Sequence, residues 1–333
     1  MKPRFNKLYR RLKKQRLDGL LVSCPLNVGY LSNPQSERTY LFLTPGFNRQ
    51  INELKLSEEV QRLSNKLKLK RLGFEENSLI YARYKQLKSR LSSTQLVPTA
   101  DLIEELREVK DSDELKIIRK AISLAEDTFE SVLKFIKPGL RERDIAGRID
   151  SLLKTSGAKG ASFPVIVTSG KRTSLPHGCP TSKKLRQNEP VLIDLGARFN
   201  GYNSDLTRMV FLGKMSPRFR KIYKILIEAQ NRAIRKIAPG VRACDVDKAA
   251  RSYLKKHGLA EYFVHGLGHG VGRAVHERPV VSQHNTAQLK KGMVLTIEPG
   301  VYISKWGGIR IEDMVLVTHR GCEFLSRSIS PSI

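Results

Sequence analysis

Five residues of this chain have types and spacings that could build a metal centre: Asp194, Asp205, His269, Glu298 and Glu312. Asp194 lies in the short apolar run Val191 to Leu195, and Asn200-Gly201, the strongest two-residue hairpin signal, follows it. With the turn there, Phe199 pairs with Tyr202, Gly196 with Asp205 and Asp194 with Thr207. Asp194 and Asp205 then share a face, one diagonal step apart. Two carboxylates on the apolar side of a strand pair repel each other and lose hydration, and a cation between them relieves both costs. Taken alone, such a pair also fits one acid capping a turn beside another facing water, so the matching ligands elsewhere decide.

Those ligands exist. Glu298-Pro299-Gly300 and Arg310-Ile311-Glu312-Asp313 flank a tight-turn candidate at Lys305 to Gly308. Glu298 and Glu312 share a face if the connection holds an odd number of residues or a bulge. His269 stands in His265-Gly-Leu-Gly-His269-Gly-Val-Gly, where the glycines disfavour a helix. In an extended segment His265 and His269 lie on one side, although a histidine in such a stretch can equally be a structural hydrogen-bonder. Four carboxylates and one imidazole suit two divalent cations, and an oxygen-rich set with a single nitrogen favours Mn, Co, Fe or Zn over a thiolate-held structural zinc. Two such ions about 3.5–4 Å apart can activate water, polarise a carbonyl and steady the oxyanion that forms on attack.

The elements that must position these residues are legible in outline. Ile136, Pro138, Gly139, Arg141, Asp144, Ser151, Leu153, Lys154 and Gly157 recur 101 positions later as Ile237, Pro239, Gly240, Arg242, Asp245, Ser252, Leu254, Lys255 and Gly258. In each copy a helix ends at Pro-Gly, an Asp is expected to cap the next helix, and a Gly closes it before strands follow. This is an internal duplication, and each half supplies a hairpin bearing two acids. Asp111-Ser112-Asp113-Glu114 reads as a capping box opening the first helix of this region. Upstream, Phe5, Leu8, Leu12 and Leu17 follow helical spacing, Leu20-Leu21-Val22 reads as the first strand, and Tyr40–Thr44 and Leu79–Tyr81 read as further strands around a helical Ser57–Lys70. That upstream domain has no histidine and is expected to shape access or assembly instead of performing chemistry.

Among 333 residues there are 60 Lys and Arg against 32 Asp and Glu, a formal charge of +28. The excess is spread along the chain, with 22 basic against 11 acidic residues in positions 1–110, and no zinc finger, RNP-like strand or basic zipper accompanies it. A basic solvated surface is the expectation, with no specific nucleic-acid partner. Four scattered cysteines without a C-x-x-C pair fit a reducing compartment. No eighteen-residue apolar run and no amino-terminal h-region occur, so a cytoplasmic protein with no membrane segment is expected.

The runs Ser174-Leu-Pro-His177-Gly, Asp194-Leu-Gly-Ala, Ser204-Asp205-Leu-Thr-Arg208, His265-Gly-Leu-Gly-His269, Val275-His276-Glu277, Glu298-Pro-Gly and Arg310-Ile-Glu312-Asp313 resemble, in order and spacing, the proline-specific metallopeptidases aminopeptidase P and prolidase. Leu17 to Leu31 is similar to the smaller domain of the same family. The resemblance implies an α/β (α+β) chain: a small creatinase-like N-terminal α/β domain, 1–108, and a C-terminal pita-bread catalytic domain, 109–333, with a pseudo-two-fold duplication. It implies that Asp194, Asp205, His269, Glu298 and Glu312 hold two divalent ions, manganese first and Co, Zn or Fe as alternatives, with Asp205 and Glu312 bridging. Glu298 would also help to deprotonate the attacking water, His276 would stabilise the oxyanion, and His177 and His265 would lie near the scissile nitrogen and the proline ring. Arg310 is placed with the substrate-binding residues and as a partner of the carboxylates. His257, His284 and His319 match no motif and are taken as surface residues.

The activity so implied is hydrolysis of the bond between an amino-terminal residue and a following proline, by a homodimer. The alternative is a prolidase confined to dipeptides. Some prolidases carry an Arg just after the His-Glu-x-Pro run; here that position is Val280, which tilts the expectation toward longer peptides. A non-catalytic pita-bread protein binding ribosomes or nucleic acid is disfavoured, because all five ligand positions are filled. If the basic surface is only solvated, binding to duplex DNA should be non-specific and fade steeply with salt. Fluorescence anisotropy at low and physiological salt checks this, and a sequence-selective complex that survives high salt would contradict it.

Overall fold

A computed structural model describes residues 3–32 and 38–326, in two units, Met1–Arg107 and Glu108–Ile333. In the first, α1 (Pro3–Lys14) buries Phe5, Leu8 and Leu12 and so is a structural helix. It leads into β1 (Gly19–Val22), α2 (Pro25–Leu31), β2 (Thr39–Thr44), β3 (Phe47–Asn52), α3 (Leu56–Lys66), β4 (Arg71–Glu75), α4 (Tyr81–Arg90), β5 (Gln95–Thr99) and α5 (Glu104–Arg107). The sheet order is β3-β2-β1-β4-β5, with β1, β4 and β5 parallel. The strand expected at Leu79–Tyr81 does not form. Leu79 is buried in a turn and α4 begins at Tyr81, while the strand falls on Arg71–Glu75; so short an apolar run is ambiguous by periodicity alone.

The second unit opens on α6 (Ser112–Leu133), whose capping box is present: Asp111 accepts from the amides of Asp113 and Glu114, and Glu114 accepts from the amide of Asp111. Then come α7 (Glu142–Thr155), β6 (Gly160–Ala161), β7 (Ile166–Ser169), β8 (Pro190–Leu195), β9 (Ala197–Phe199), β10 (Tyr202–Asn203) and β11 (Leu206–Phe211). The second half follows with α8 (Pro217–Lys236), α9 (Ala243–Lys256), β12 (Gly268–Gly270), β13 (Glu277–Val281), β14 (Val294–Ile297), β15 (Gly300–Ile303), β16 (Gly307–Arg310), β17 (Asp313–Val317) and β18 (Cys322–Phe324). Helices α7 and α9 are displaced by the repeat spacing at both ends. The expected Asp caps are corrected: Arg141 and Arg242 occupy the cap positions, and Asp144 and Asp245 stand three residues in. There the carboxylates fold back, Asp144 on the Arg141 amide at 3.2 Å and Asp245 on the Arg242 guanidinium at 2.8 Å.

Both hairpins change sheets where their acids stand. Asn200 and Gly201 have φ of +47° and +79°, as a turn matched to strand twist requires. Tyr202 pairs with Phe199 in the sheet β10-β9-β6, and Thr207 with Asp194 in the sheet β11-β8-β7. The ladder lapses between them, around Gly196 and Asp205. In the second hairpin three residues, 304–306, connect β15 to β16, so the odd count holds and no bulge is needed. Ile303 faces Gly307 in the sheet β15-β16, and Ile297 faces Asp313 in the sheet β13-β12-β14-β17-β18. Both pairs follow one register, which sets Glu298 opposite Glu312 in the gap.

The segment from Ser169 to Thr181 carries His177 and has little regular structure of its own. Its anchor is Glu142, fully buried, which accepts from the amides and hydroxyls of Ser169 and Thr181 and from Arg172 Nε at 3.1 Å. Removing that carboxylate strands several buried donors, so Glu142→Ala should destabilise this unit by about 3–5 kcal/mol. Thermal and urea unfolding check it; a change below about 1 kcal/mol would show that the cluster contributes little stability.

Candidate active site

Asp194 from β8, Asp205 before β11, His269 from β12, and Glu298 and Glu312 from the gap of the second hairpin line one cavity of about 490 Å³. Ligand atoms of Asp194, Asp205 and Glu312 lie within 4.8 Å of one another, as do those of His269, Glu298 and Glu312 and those of Asp205, His269 and His276. Asp205, His269 and Glu312 each belong to two of these groups.

Little in the protein balances this charge. Arg310 Nη2 reaches Asp194 at 2.6 Å, and His269 Nε2 lies 3.3 Å from Glu298 and 3.6 Å from Asp205. Burial, with repulsion from Glu312, Asp194 and Glu298, pushes the Asp205 carboxyl well up, and burial with repulsion from Glu298 and Asp194 does the same to Glu312. Burial raises Asp194 too, against the pull of Arg310. Burial also acts to raise Glu298, but the hydrogen bond and charge of His269, helped by His265 and Arg310, outweigh it and hold that carboxyl low. Asp194 Oδ1 is buried with no hydrogen-bond partner. An unpartnered oxygen beside three other carboxylates is a donor set that divalent cations fit.

Behind the acids stand three residues that the sequence did not single out. Thr207 Oγ1 donates to Glu312 at 2.7 Å and accepts from Arg310 Nε at 2.9 Å. Arg310 Nη1 donates to the Tyr302 hydroxyl and to the Pro176 carbonyl, so all its nitrogens serve protein groups and it stands behind Asp194. The Tyr302 hydroxyl is also 2.9 Å from His265 Nε2, while His265 Nδ1 is 2.7 Å from the Gly266 carbonyl. A carbonyl only accepts, so Nδ1 carries the proton and Nε2 accepts from Tyr302. Thr296 Oγ1 donates to Glu298 at 3.2 Å. Thr207 had a signal, standing two residues from Asp205 and hence on its strand face. Tyr302 had none until the fold brought β15 beside the loop of His265.

His177 and His276 are exposed at the cavity wall and His265 is half-buried. The rings of His276 and His269 are 4.2 Å apart. Burial lowers the pKa of His265 and of His276. His257, His284 and His319 are exposed and lie outside this cavity. Its remaining wall is apolar, with Phe163, Pro164, Val165, Ile166, Pro180 and Val280.

A family model for metallopeptidase family M24 matches residues 116–319, and one for the creatinase/prolidase N-terminal domain matches residues 48–109. The chain belongs to metallopeptidase family M24. It is 36% identical to an Xaa-Pro dipeptidase of Pyrococcus furiosus over 98% of this chain and 99% of the relative. Among solved structures, an Xaa-Pro dipeptidase from Bacillus anthracis superposes with a TM-score of 0.94 at 31% identity, covering 99% of this chain and 98% of that one. An X-Pro aminopeptidase from Thermotoga maritima gives 0.90 at 29% identity, covering 96% and 98%. This M24 metallopeptidase thus has the creatinase-type N-terminal domain and the pita-bread fold that the resemblance implies. No helix among its described residues is long and apolar enough to cross a membrane.

The raised carboxyls give the M24 peptidase a signed pH dependence. A carboxylate whose folded pKa exceeds its unfolded value contributes stability below the unfolded value, about 4, and loses it as pH rises through the folded one. Metal-stripped protein should therefore lose stability across that interval, as Asp205 and Glu312 ionise against their neighbours, and bound cations should cancel the loss. The melting-temperature gap between manganese-loaded and chelator-treated protein is expected to widen from pH 4.5 to pH 8; a gap that does not change with pH would contradict this.

Proposed function

We propose that this metallopeptidase is an Xaa-Pro peptidase with a dinuclear centre, and that it acts on Xaa-Pro dipeptides. The observation that carries the reading is the meeting of five ligand-type side chains in one cavity whose other wall is apolar. The dipeptide preference rests on similarity to relatives described as Xaa-Pro dipeptidases along nearly their whole length. Manganese ions, a homodimer and a cytoplasmic location belong to the same reading. So does the division of labour between a creatinase-like domain over residues 1–108 and a catalytic domain over 109–333.

Divalent cations held by Asp194, Asp205, His269, Glu298 and Glu312 would supply Lewis-acid polarisation of the scissile carbonyl and lower the pKa of a water. The side chains do the rest. Glu298 is kept ionised by His269 and can take a proton from the attacking water. His276, beside His269 and open to the cavity, can donate to the oxygen on which negative charge develops. His177, also exposed at the cavity, can serve the departing proline nitrogen. His265 is committed to Tyr302 and Gly266, so it orders the wall against which the proline ring packs. An X-Pro bond has no N–H to bind, and a wall of Phe163, Pro164 and Ile166 asks for none.

A second reading, cleavage of longer Xaa-Pro-Yaa peptides, is favoured by one observation. Val280 is 50% exposed on the cavity wall, at the position where some prolidases carry an Arg suited to a dipeptide carboxylate. Turnover of Xaa-Pro dipeptides against Xaa-Pro-Yaa peptides, with and without manganese or cobalt, decides between them. Dipeptide cleavage dependent on metal is expected. Preference for the longer peptides would establish the second reading, and inactivity on both would end the assignment. Glu298→Gln should lower kcat by more than about 10²-fold with the fold intact; activity within about threefold of the parent would remove Glu298 from the mechanism.

A further inference from the structure

His276 sits on an irregular stretch, yet its ring is held 4.2 Å from that of His269. The pairing of β12 with β13 explains how. Gly268 faces Val281 and His269 faces Val280, but Gly270 faces Glu277, so the register slips by two residues. A two-residue slip keeps side chains on the same face and moves them about 6–7 Å along the strand. The slip brings Glu277, and with it His276, up to the metal-site strand. In an unslipped ladder Pro279 would hold that place and His276 would lie further away.

A buried ion pair lies beside the slip. Lys110 Nζ lies 2.8 Å from Glu277 Oε1, with the two side chains 1% and 9% exposed. The same ammonium is 3.3 Å from the Glu108 carbonyl, and the Glu108 carboxylate takes Arg278 Nε at 2.9 Å and Lys290 Nζ at 3.3 Å. On the far side of the loop, Asn203 Nδ2 donates to the carbonyls of Gly272 and Arg273. Gly272 itself is pressed onto the pair: a Cβ there would stand 2.2 Å from Glu277 Oε1 and 3.0 Å from Lys110 Cε. A buried ion pair is a poor source of stability compared with an apolar pair of the same volume. Its advantage is direction, because a buried carboxylate shifted by two residues would leave the ammonium unpaired at a large cost.

We propose that Lys110, acting through Glu277, is a positioning residue for His276: the pair holds the slipped register that keeps this imidazole at the metal cavity. The kinetic part rests on the reading above, in which His276 donates to the developing oxyanion. The register part does not.

The test uses the full chain and the variants Lys110→Met and Glu277→Gln, each alone and combined with His276→Ala. In manganese-loaded protein, kcat on an Xaa-Pro dipeptide should fall by about 10²-fold in Lys110→Met, as misplacement of a catalytic group by about 1 Å can cost. KM and metal content should stay near those of the parent. Added to His276→Ala, the same substitution should cost little more, because its target is already gone. In zinc-loaded protein with labelled histidine, the ring resonance missing from His276→Ala should move in Lys110→Met and in Glu277→Gln, while those of His257, His284 and His319 stay. An unmoved His276 resonance in both folded variants overturns the proposal, and so do fully additive rate losses. If His276→Ala is as active as the parent, its assigned donor role fails while the resonances still decide the positioning. Glu277→Gln keeps the side chain's shape, so it answers the question even if Lys110→Met does not fold.

Discussion

Mutual repulsion among buried carboxylates is the constraint on which the second unit depends. Asp194, Asp205 and Glu312 have oxygens within 4.8 Å of one another, and two unit charges about 4 Å apart at an effective dielectric constant of about 20 repel by roughly 4 kcal/mol. Three such pairs approach the whole stability of an ordinary domain, about 5–15 kcal/mol. Protons or cations must therefore neutralise them. Arg310 supplies one charge and Thr207 one hydrogen bond, which leaves a deficit that divalent ions suit. The surrounding hydrophobic core, from Leu192 and Leu295 to Ile309 and Val315, fixes the oxygens in place and keeps water from screening them.

The duplication gives this arrangement its geometry. Each half ends in a hairpin that passes from one sheet to another, and the passage falls where the acids stand: Asp194 and Asp205 in the first, Glu298 and Glu312 in the second. An interrupted ladder frees the chain locally to turn these side chains toward a common centre, while the paired strands on either side hold the register. The halves then meet through their side chains. Arg208 from the first half binds Asp313 of the second at 2.7 Å, and Arg310 from the second binds Asp194 of the first.

The three cavity histidines outside the five-residue set, His177, His265 and His276, are held differently. Each comes from an irregular segment, and each segment is tied down by a buried charge that takes no part in the cavity. Glu142 ties down the segment of His177 and Glu277 that of His276. For His265 the anchor is Asp247, fully buried, which grips Arg251 through both carboxylate oxygens; Arg251 in turn donates to the carbonyls of Phe263 and His265 at 2.8 Å. Loops that carry chemistry need such anchors, because they lack the ladder of backbone hydrogen bonds that orders a strand.

From the sequence alone, the positions of all five ligand-type residues, the duplication, the register of the first hairpin and the capping box at Asp111 could be read. These are local or periodic properties: a turn dipeptide determines which residues face each other, and a repeated Pro-Gly marks equivalent helix ends. Short apolar runs carry no such signature, so the strand assigned to Leu79–Tyr81 belonged instead to Arg71–Glu75. The role of Tyr302, which of the carboxylates Arg310 partners, and the anchoring of the histidines by Glu142, Asp247 and Lys110 were decided only by the tertiary structure. Each depends on contacts between residues far apart in the chain, such as Lys110 and Glu277, and pairing across such distances follows from how the sheets pack, which neither spacing nor composition encodes.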